Sequence, residues 1–313
     1  NAVVMKSRDE AAEKLSEFAP KELNRIFFVN SGAEANENAI RIALQITGRN
    51  KVIAIENAFH GRTAAAGAVT WGSKKKWYGF PSTPMEVEFV PRDDIDLLKK
   101  AIDKNTAALI IEPIQGVAGA YKFSNEFIEN IYIECKKNNS LLIFDEVQTG
   151  IGRLGVPFGA NYFQITPDLL TTAKSIGGGL PCGAIIMKQE IAKNLGAGSL
   201  GTTFGGGPLA SIAISTVIDT INKENLMANI NNVSKYIFDT CKIGPVIDIQ
   251  GAGFLLGLKT EIPAQILRDR LLEKNIMTGT SSDPNILRLL PPFILNKSHV
   301  DSLSLALKEI NNE

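Results

Sequence analysis

Two apolar runs of this chain each deliver one charged residue at their end. Leu141-Leu142-Ile143-Phe144 leads to Asp145, and Leu169-Leu170-Thr171-Thr172-Ala173 leads to Lys174, ahead of Gly177-Gly178-Gly179. A buried carboxylate or ammonium is costly unless a fixed partner completes it. The simplest completion is a mutual pair between Asp145 and Lys174. A third element offers another: Val29-Asn30-Ser31-Gly32-Ala33-Glu34 reads as a strand-to-helix turn. Its small pair Gly32-Ala33 would admit a phosphate to the free amides at the positive end of a helix. A carboxylate, a lysine and a phosphate cradle are together the protein's share of a pyridoxal phosphate site. In that reading Asp145 keeps the ring nitrogen protonated, so that the ring accepts carbanion electrons. Lys174 holds the cofactor covalently and, once displaced by substrate, moves a proton between substrate and cofactor carbons.

Further residues offer contacts, each with a plainer structural alternative. Ser31 and Glu34 have the spacing of a capping box, so the turn is at least a well-capped helix start. In Phe59-His60-Gly61-Arg62-Thr63, Phe59 is a candidate to stack on a flat ring, or else a core side chain. Arg62 is a candidate fork for a carboxylate, or else a solvated loop residue. Arg288 interrupts the apolar run Ile286-Leu287-Arg288-Leu289-Leu290, which calls for an anionic partner. Leu200-Gly201-Thr202-Thr203-Phe204-Gly205-Gly206-Gly207-Pro208 sets two hydroxyls in a glycine-rich loop that is otherwise only a turn.

Composition narrows the alternatives. A chain of 313 residues can bury one large core and more naturally forms two domains. Lysine plus arginine (33) balance aspartate plus glutamate (33), which gives no electrostatic case for nucleic acid or an anionic membrane. Cys135, Cys182 and Cys241 show no paired spacing and fit a reducing, cytoplasmic compartment. With only His60 and His299 beside them, no metal site is expected. The longest apolar runs, such as Ala107–Ile111, are far too short to span a bilayer, and no signal-peptide pattern is present. The chain begins at Asn1 and reads as a fragment whose preceding segment is missing.

The elements that must position these residues alternate. Strands are expected at Arg25–Val29, Lys51–Ile55, Val87–Val90, Ala107–Ile111, Leu141–Phe144, Leu169–Thr172 and Gly183–Met187. Helices are expected at Ser7–Phe18, Ala33–Ile46, Asp94–Ile102 and Asn125–Lys137. Such alternation implies an α/β fold with a mostly parallel sheet, whose ligands sit beyond the carboxyl ends of the strands. The turn after Val29, Asp145 and Lys174 all lie at such ends. After Pro208 long helices and short strands follow, which divides the chain into a large domain, 1–217, and a smaller C-terminal α+β domain, 218–313. A nucleotide-binding α/β protein could share the sheet, but the chain lacks a Gly-x-Gly-x-x-Gly turn after its first strand and a Walker lysine.

Five blocks in order resemble the class III pyridoxal-phosphate-dependent aminotransferases of fold type I. They are Ser31-Gly32-Ala33-Glu34-Ala35-Asn36-Glu37, Phe59-His60-Gly61-Arg62-Thr63, Glu112-Pro113-Ile114-Gln115-Gly116, Asp145-Glu146-Val147-Gln148-Thr149-Gly150, and Ala173-Lys174 with its glycines. The resemblance covers nearly the whole chain and implies roles for the matching residues. Gly32 and Ala33 would bind phosphate, Phe59 and Val147 would cover the two ring faces, and Asp145 would hold the ring nitrogen. Gln148 would lie near the phenolic oxygen and Lys174 would carry the cofactor, with Glu112 and Glu146 completing the cofactor-binding set. Thr203 would reach the phosphate of a neighbouring subunit, which implies a homodimer with shared sites. Thr202 and Arg62 would touch the amino-acid substrate, and Arg288 the α-carboxylate of glutamate or 2-oxoglutarate. Phe59–Thr63, Gly150-Ile151-Gly152-Arg153 and Leu287–Pro292 favour the branch that uses N-acetylornithine as amino donor. Other branches take ornithine, succinylornithine, 4-aminobutyrate or an acylated lysine carried on a protein. Val117, Leu200 and Gly207 depart from residues frequent in the family: a glutamate, a histidine and an asparagine.

Overall fold

The computed structural model describes residues 3–310, so the outermost residues of the two expected domains, 1–2 and 311–313, lie outside it. Its strands are, in order, β1 (Leu23–Val29), β2 (Lys51–Ile55), β3 (Glu86–Val90), β4 (Thr106–Ile111), β5 (Ile114–Gln115), β6 (Tyr121–Lys122), β7 (Leu141–Asp145), β8 (Leu169–Thr172), β9 (Gly183–Lys188), β10 (Val246–Ala252), β11 (Leu255–Thr260), β12 (Gly279–Thr280) and β13 (Ile286–Leu289). They fall into two compact units. The larger holds Asn1–Pro113, Phe123–Ile151 and Phe158–Asp219; the other holds Ile114–Lys122, Gly152–Pro157 and Thr220–Glu313. Two short excursions within the expected large domain thus belong to the smaller unit.

The larger unit is an α/β layer structure on a seven-stranded sheet of order β1-β9-β8-β7-β4-β2-β3. Only β9 runs against its neighbours. β2, β4 and β9 are buried along their whole length, as strands covered on both faces must be, and their apolar runs show no alternation for that reason. β3 closes one edge, and its outward Glu86 and exposed Glu88 place charge where pairing stops.

Helix α1 (Lys6–Phe18) buries Ala11, Leu15 and Phe18 at helical spacing. Helix α2 (Gly32–Thr47) starts at Ser31, whose hydroxyl accepts the Glu34 amide, and ends at Gly48 in the left-handed region. Glu34 reaches back to the amide and side chain of Asn30, one residue beyond the helix cap (3.0 and 2.9 Å). The buried face of α2 carries Ala35, Ala39 and Ala43, small enough to bring the helix close across β4, β7, β8 and β9. Asn36 is the polar exception on that face, 1% exposed. Its presence among alanines and isoleucines marks a place where the sheet offers polar partners.

The smaller unit is α+β. β10, β11, β13 and β12 form an antiparallel sheet in that order. Its core joins Phe254, Leu256, Leu258 and Leu287 to Ile230, Ile237, Leu267 and Leu307 from the helices Leu226–Thr240, Ala264–Glu273 and Lys297–Ile310. The β5–β6 hairpin belongs to this unit.

Candidate active site

The parallel strands of the larger unit all end on one side of the sheet, and the charged residues arrive there by chain direction alone. β1 leads to Asn30 and Ser31, β2 to the Phe59–Arg62 loop, β4 to Glu112, β7 to Asp145 and β8 to Lys174. The reversed strand β9 begins on the same side, so the residues before it, Leu180 to Cys182, join them. A cavity of about 680 Å³ lies there, lined by Gly32, Ala33, Phe59, Arg62, Glu112, Asp145, Val147, Gln148 and Lys174, with His60 and Asn36.

Asp145 is 3% exposed. Its partners are Asn36 Nδ2 and His60 Nδ1, each 2.7 Å from Oδ2, and the Val147 amide, 3.0 Å from Oδ1. Both Asn36 amide protons are used, the second donated to the His60 carbonyl (2.7 Å), and its oxygen accepts from Thr171 Oγ1 (2.6 Å). Thr70 fixes the other side of the loop, its buried oxygen accepting the amides of His60 and Gly61 (2.9 and 3.2 Å). The carboxylate is therefore rigidly aimed, and Oδ1, with a single amide, retains capacity for one more donor. His60 Nε2 is buried without a hydrogen-bond partner, a polar atom in the same wall.

The phosphate turn is close-packed from two directions. A Cβ on Gly32 would come 2.7 Å from a Val147 methyl. One on Gly61, at φ +135°, would come 2.8 Å from Ala33 Cβ. With the Glu34 amide held by Ser31 and the Ala35 amide by the Ser31 carbonyl, the Gly32 and Ala33 amides are the helix-start donors left without intrahelical partners. Lys174 has φ +48°, a left-handed conformation rare for a residue with a side chain. The donor set thus fits pyridoxal phosphate: amides for the phosphate, an aimed carboxylate with spare acceptor capacity, and a lysine at the same mouth.

Other expected residues lie elsewhere. Glu146, expected with the cofactor set, is turned away from the cavity: fully buried, it accepts from Thr149 Oγ1 (2.7 Å) and the amides of Gly159 and Ala160 (2.7 Å for the latter). Burial pushes its carboxyl up to about 7 against those hydrogen bonds, with Asp145 adding repulsion. Glu112 does line the cavity and accepts the Phe59 amide at 2.9 Å, which fixes the ring's backbone. Thr202 accepts the Gly205 amide and stands 3.4 Å from Asn30 Nδ2, while Thr203 is exposed. Arg288 belongs to the smaller unit, where the carbonyls of Thr280 (2.7 Å) and Gly116 (3.3 Å) take its guanidinium. Asn36, His60, Thr70 and Thr171 have no individual sequence signal except Asn36, a polar residue on an apolar helix face.

Residues 1–310 match the family model for class-III aminotransferases. The chain belongs to that family, and is a pyridoxal-phosphate-dependent aminotransferase of fold type I. It is 40% identical to an acetylornithine aminotransferase of Methanocaldococcus jannaschii, over 96% of this chain and 78% of the relative. It is 36% identical to the [LysW]-aminoadipate semialdehyde/glutamate semialdehyde transaminase of Sulfolobus acidocaldarius, over 96% and 79%. Among solved structures, an ornithine aminotransferase from Toxoplasma gondii superposes with a TM-score of 0.91 at 25% identity, over 99% of this chain and 77% of that one. Among the described residues no helix is long and apolar enough to cross a membrane, and no cluster of side chains could hold a metal ion.

Proposed function

We propose that this aminotransferase moves the ω-amino group of N-acetylornithine to 2-oxoglutarate, giving N-acetylglutamate semialdehyde and glutamate, a reaction of arginine biosynthesis. The observation that carries amino transfer is Asp145, buried and held by Asn36 and His60 in the wall that also presents Lys174 and the phosphate turn. The likeness to acetylornithine aminotransferases supports the donor. When bound, the cofactor supplies a carbonyl that takes up the amino group and a ring that takes up electrons.

The chain's own residues do the rest. Gly32 and Ala33 would bind the phosphate, Phe59 and Val147 would hold the ring between them, and Gln148 would face its phenolic oxygen. Asp145 would accept the proton-bearing ring nitrogen, and Lys174 would carry the cofactor and then move protons at the reacting carbon. Arg62 and Thr202 would bind the donor, and Arg288 the α-carboxylate of glutamate or 2-oxoglutarate. Thr203 would complete the site of a second copy. A homodimer is supported by apolar side chains left in water on the same segment, Phe204 (77% exposed), Leu209 (75%) and Ile212 (56%). The buried, unpaired cysteines support a cytoplasmic setting.

A second reading, an acylated lysine carried on a protein as donor, is favoured by the likeness to the Sulfolobus enzyme. A donor panel with 2-oxoglutarate decides. N-acetylornithine should give the highest kcat/KM, ahead of ornithine, succinylornithine, 4-aminobutyrate and a carrier-bound lysine. A higher kcat/KM with any of those reassigns the donor.

A further inference from the structure

Arg62 lines the cavity, yet among the described residues its guanidinium makes neither a hydrogen bond nor an ion pair. What holds it is aromatic. Its Cζ lies 5.9 Å from the centre of the Phe59 ring and 5.5 Å from that of the Trp77 ring. The two rings stand 6.4 Å apart at 56°, so the cation rests against both. Attraction to ring faces fixes a guanidinium without engaging its N–H groups. An ion pair would occupy the same fork that a substrate carboxylate needs.

Trp77 is itself fastened. Its amide donates to the Ser73 carbonyl (2.9 Å), and Ser73 Oγ donates to the Gly67 carbonyl (2.6 Å). Its ring packs over Gly67, where a Cβ would come 3.4 Å from Cζ3, and the neighbouring Tyr78 hydroxyl reaches the Ala64 carbonyl (2.8 Å). The run Ala64-Ala65-Ala66-Gly67-Ala68 is the small-residue shelf that makes this possible. Trp77 is not one of the cavity-lining residues, so its influence on the site passes through the two that it touches, Arg62 and Phe59.

We infer that Trp77 is a positioning residue for substrate recognition. Together with Phe59 it holds the Arg62 guanidinium in the cavity wall with its donors open, set for the carboxylate of the amino donor. The inference rests on the reading of Arg62 as a substrate-carboxylate residue.

The test is calorimetric binding of N-acetylnorvaline to the holoenzyme. This probe keeps the carboxylate and acylamino group of N-acetylornithine and lacks the reacting amine, so no turnover is needed. Trp77→Leu should weaken binding by roughly two- to fivefold, the range of a cation–ring contact at an exposed arginine. Trp77→Phe should restore most of it. In an Arg62→Ala background the effect of Trp77→Leu should shrink, because the part that passes through the arginine is gone and only the contact with Phe59 remains; an undiminished effect would overturn the positioning of Arg62. Thermal melting and the cofactor's visible absorbance check folding, and Trp77→Met replaces Trp77→Leu if the latter does not fold. Wild-type affinity in Trp77→Leu with weakened binding in Arg62→Ala would overturn the positioning role alone. Wild-type affinity in Arg62→Ala would remove the reading of Arg62 and this inference with it.

Discussion

Asp145 and Glu146 are adjacent carboxyls at the end of one strand with opposite assignments, set by the direction in which each side chain leaves β7. Asp145 meets the cavity wall; Glu146 meets the amides of Gly159 and Ala160 inside the protein. Asp145→Asn keeps the shape and removes the charge that would face the protonated ring nitrogen, and turnover should fall by roughly two to three orders of magnitude or more, since breaking such a buried charge pair costs about 3–5 kcal/mol. Steady-state kcat checks it. For Glu146, the folded carboxyl is raised from 4.5 to about 7, so the folded state holds more protons than the unfolded chain between those values. Its contribution to stability is therefore full below about pH 4.5 and is lost as pH rises through about 7, by an amount of order 3 kcal/mol. Glu146→Gln should flatten the fall of Tm across that window, measured by thermal melting from pH 5 to 8. Asp145 and Lys174 stand out in the sequence because a charge ending an apolar run is unusual by itself, and both line the cavity. The network around Asp145 is less visible: His60 reaches it and Thr171 braces Asn36 from distant positions without a signal of their own, and only Asn36, polar on an apolar helix face, stands out.

At the level of elements, the chain's punctuation decided what could be read. The long strands and helices of the larger unit follow from apolar runs, Ser31 as cap and Gly48 as stop. The helices Ala64–Ala68 and Ser73–Lys76 and the β5–β6 hairpin were missed, because segments of two to five residues carry no period. The two short helices seat Trp77 and Thr70 around the Phe59–Arg62 loop, so the site's supports were less visible than its charges. The fit of α2 against the turn after β7 is a local test of the phosphate cradle. Gly32→Ala would drive a methyl to within 2.7 Å of Val147 Cγ2. We expect a loss of about 1–3 kcal/mol and weaker cofactor retention, both relieved in part by Val147→Ala. Chemical denaturation and dialysis followed by absorbance measure the two effects.

For the molecule as a whole, the change of character after Pro208 suggested a boundary near residue 218, and the last stretch of the larger compact unit ends at Asp219. The excursions 114–122 and 152–157 were not legible in the sequence, since membership of a unit is a property of contacts and not of local pattern. The proposed homodimer makes a sharper demand. Lys174→Ala and Thr203→Ala chains, each inactive as homodimers, should regain activity when co-expressed and purified as a hybrid, because one site then has an intact lysine from one chain and an intact threonine from the other. A hybrid as inactive as its parents would assign Thr203 to its own chain's site.

The central claim is that the cavity at the strand ends holds the cofactor through Lys174. Borohydride reduction of the holoenzyme fixes the lysine-bound cofactor in place, and peptide mass mapping locates it. The pyridoxyl group should be found on the peptide carrying Lys174 and be lost in Lys174→Ala. Labelling of a different lysine in the wild-type protein would contradict the assignment.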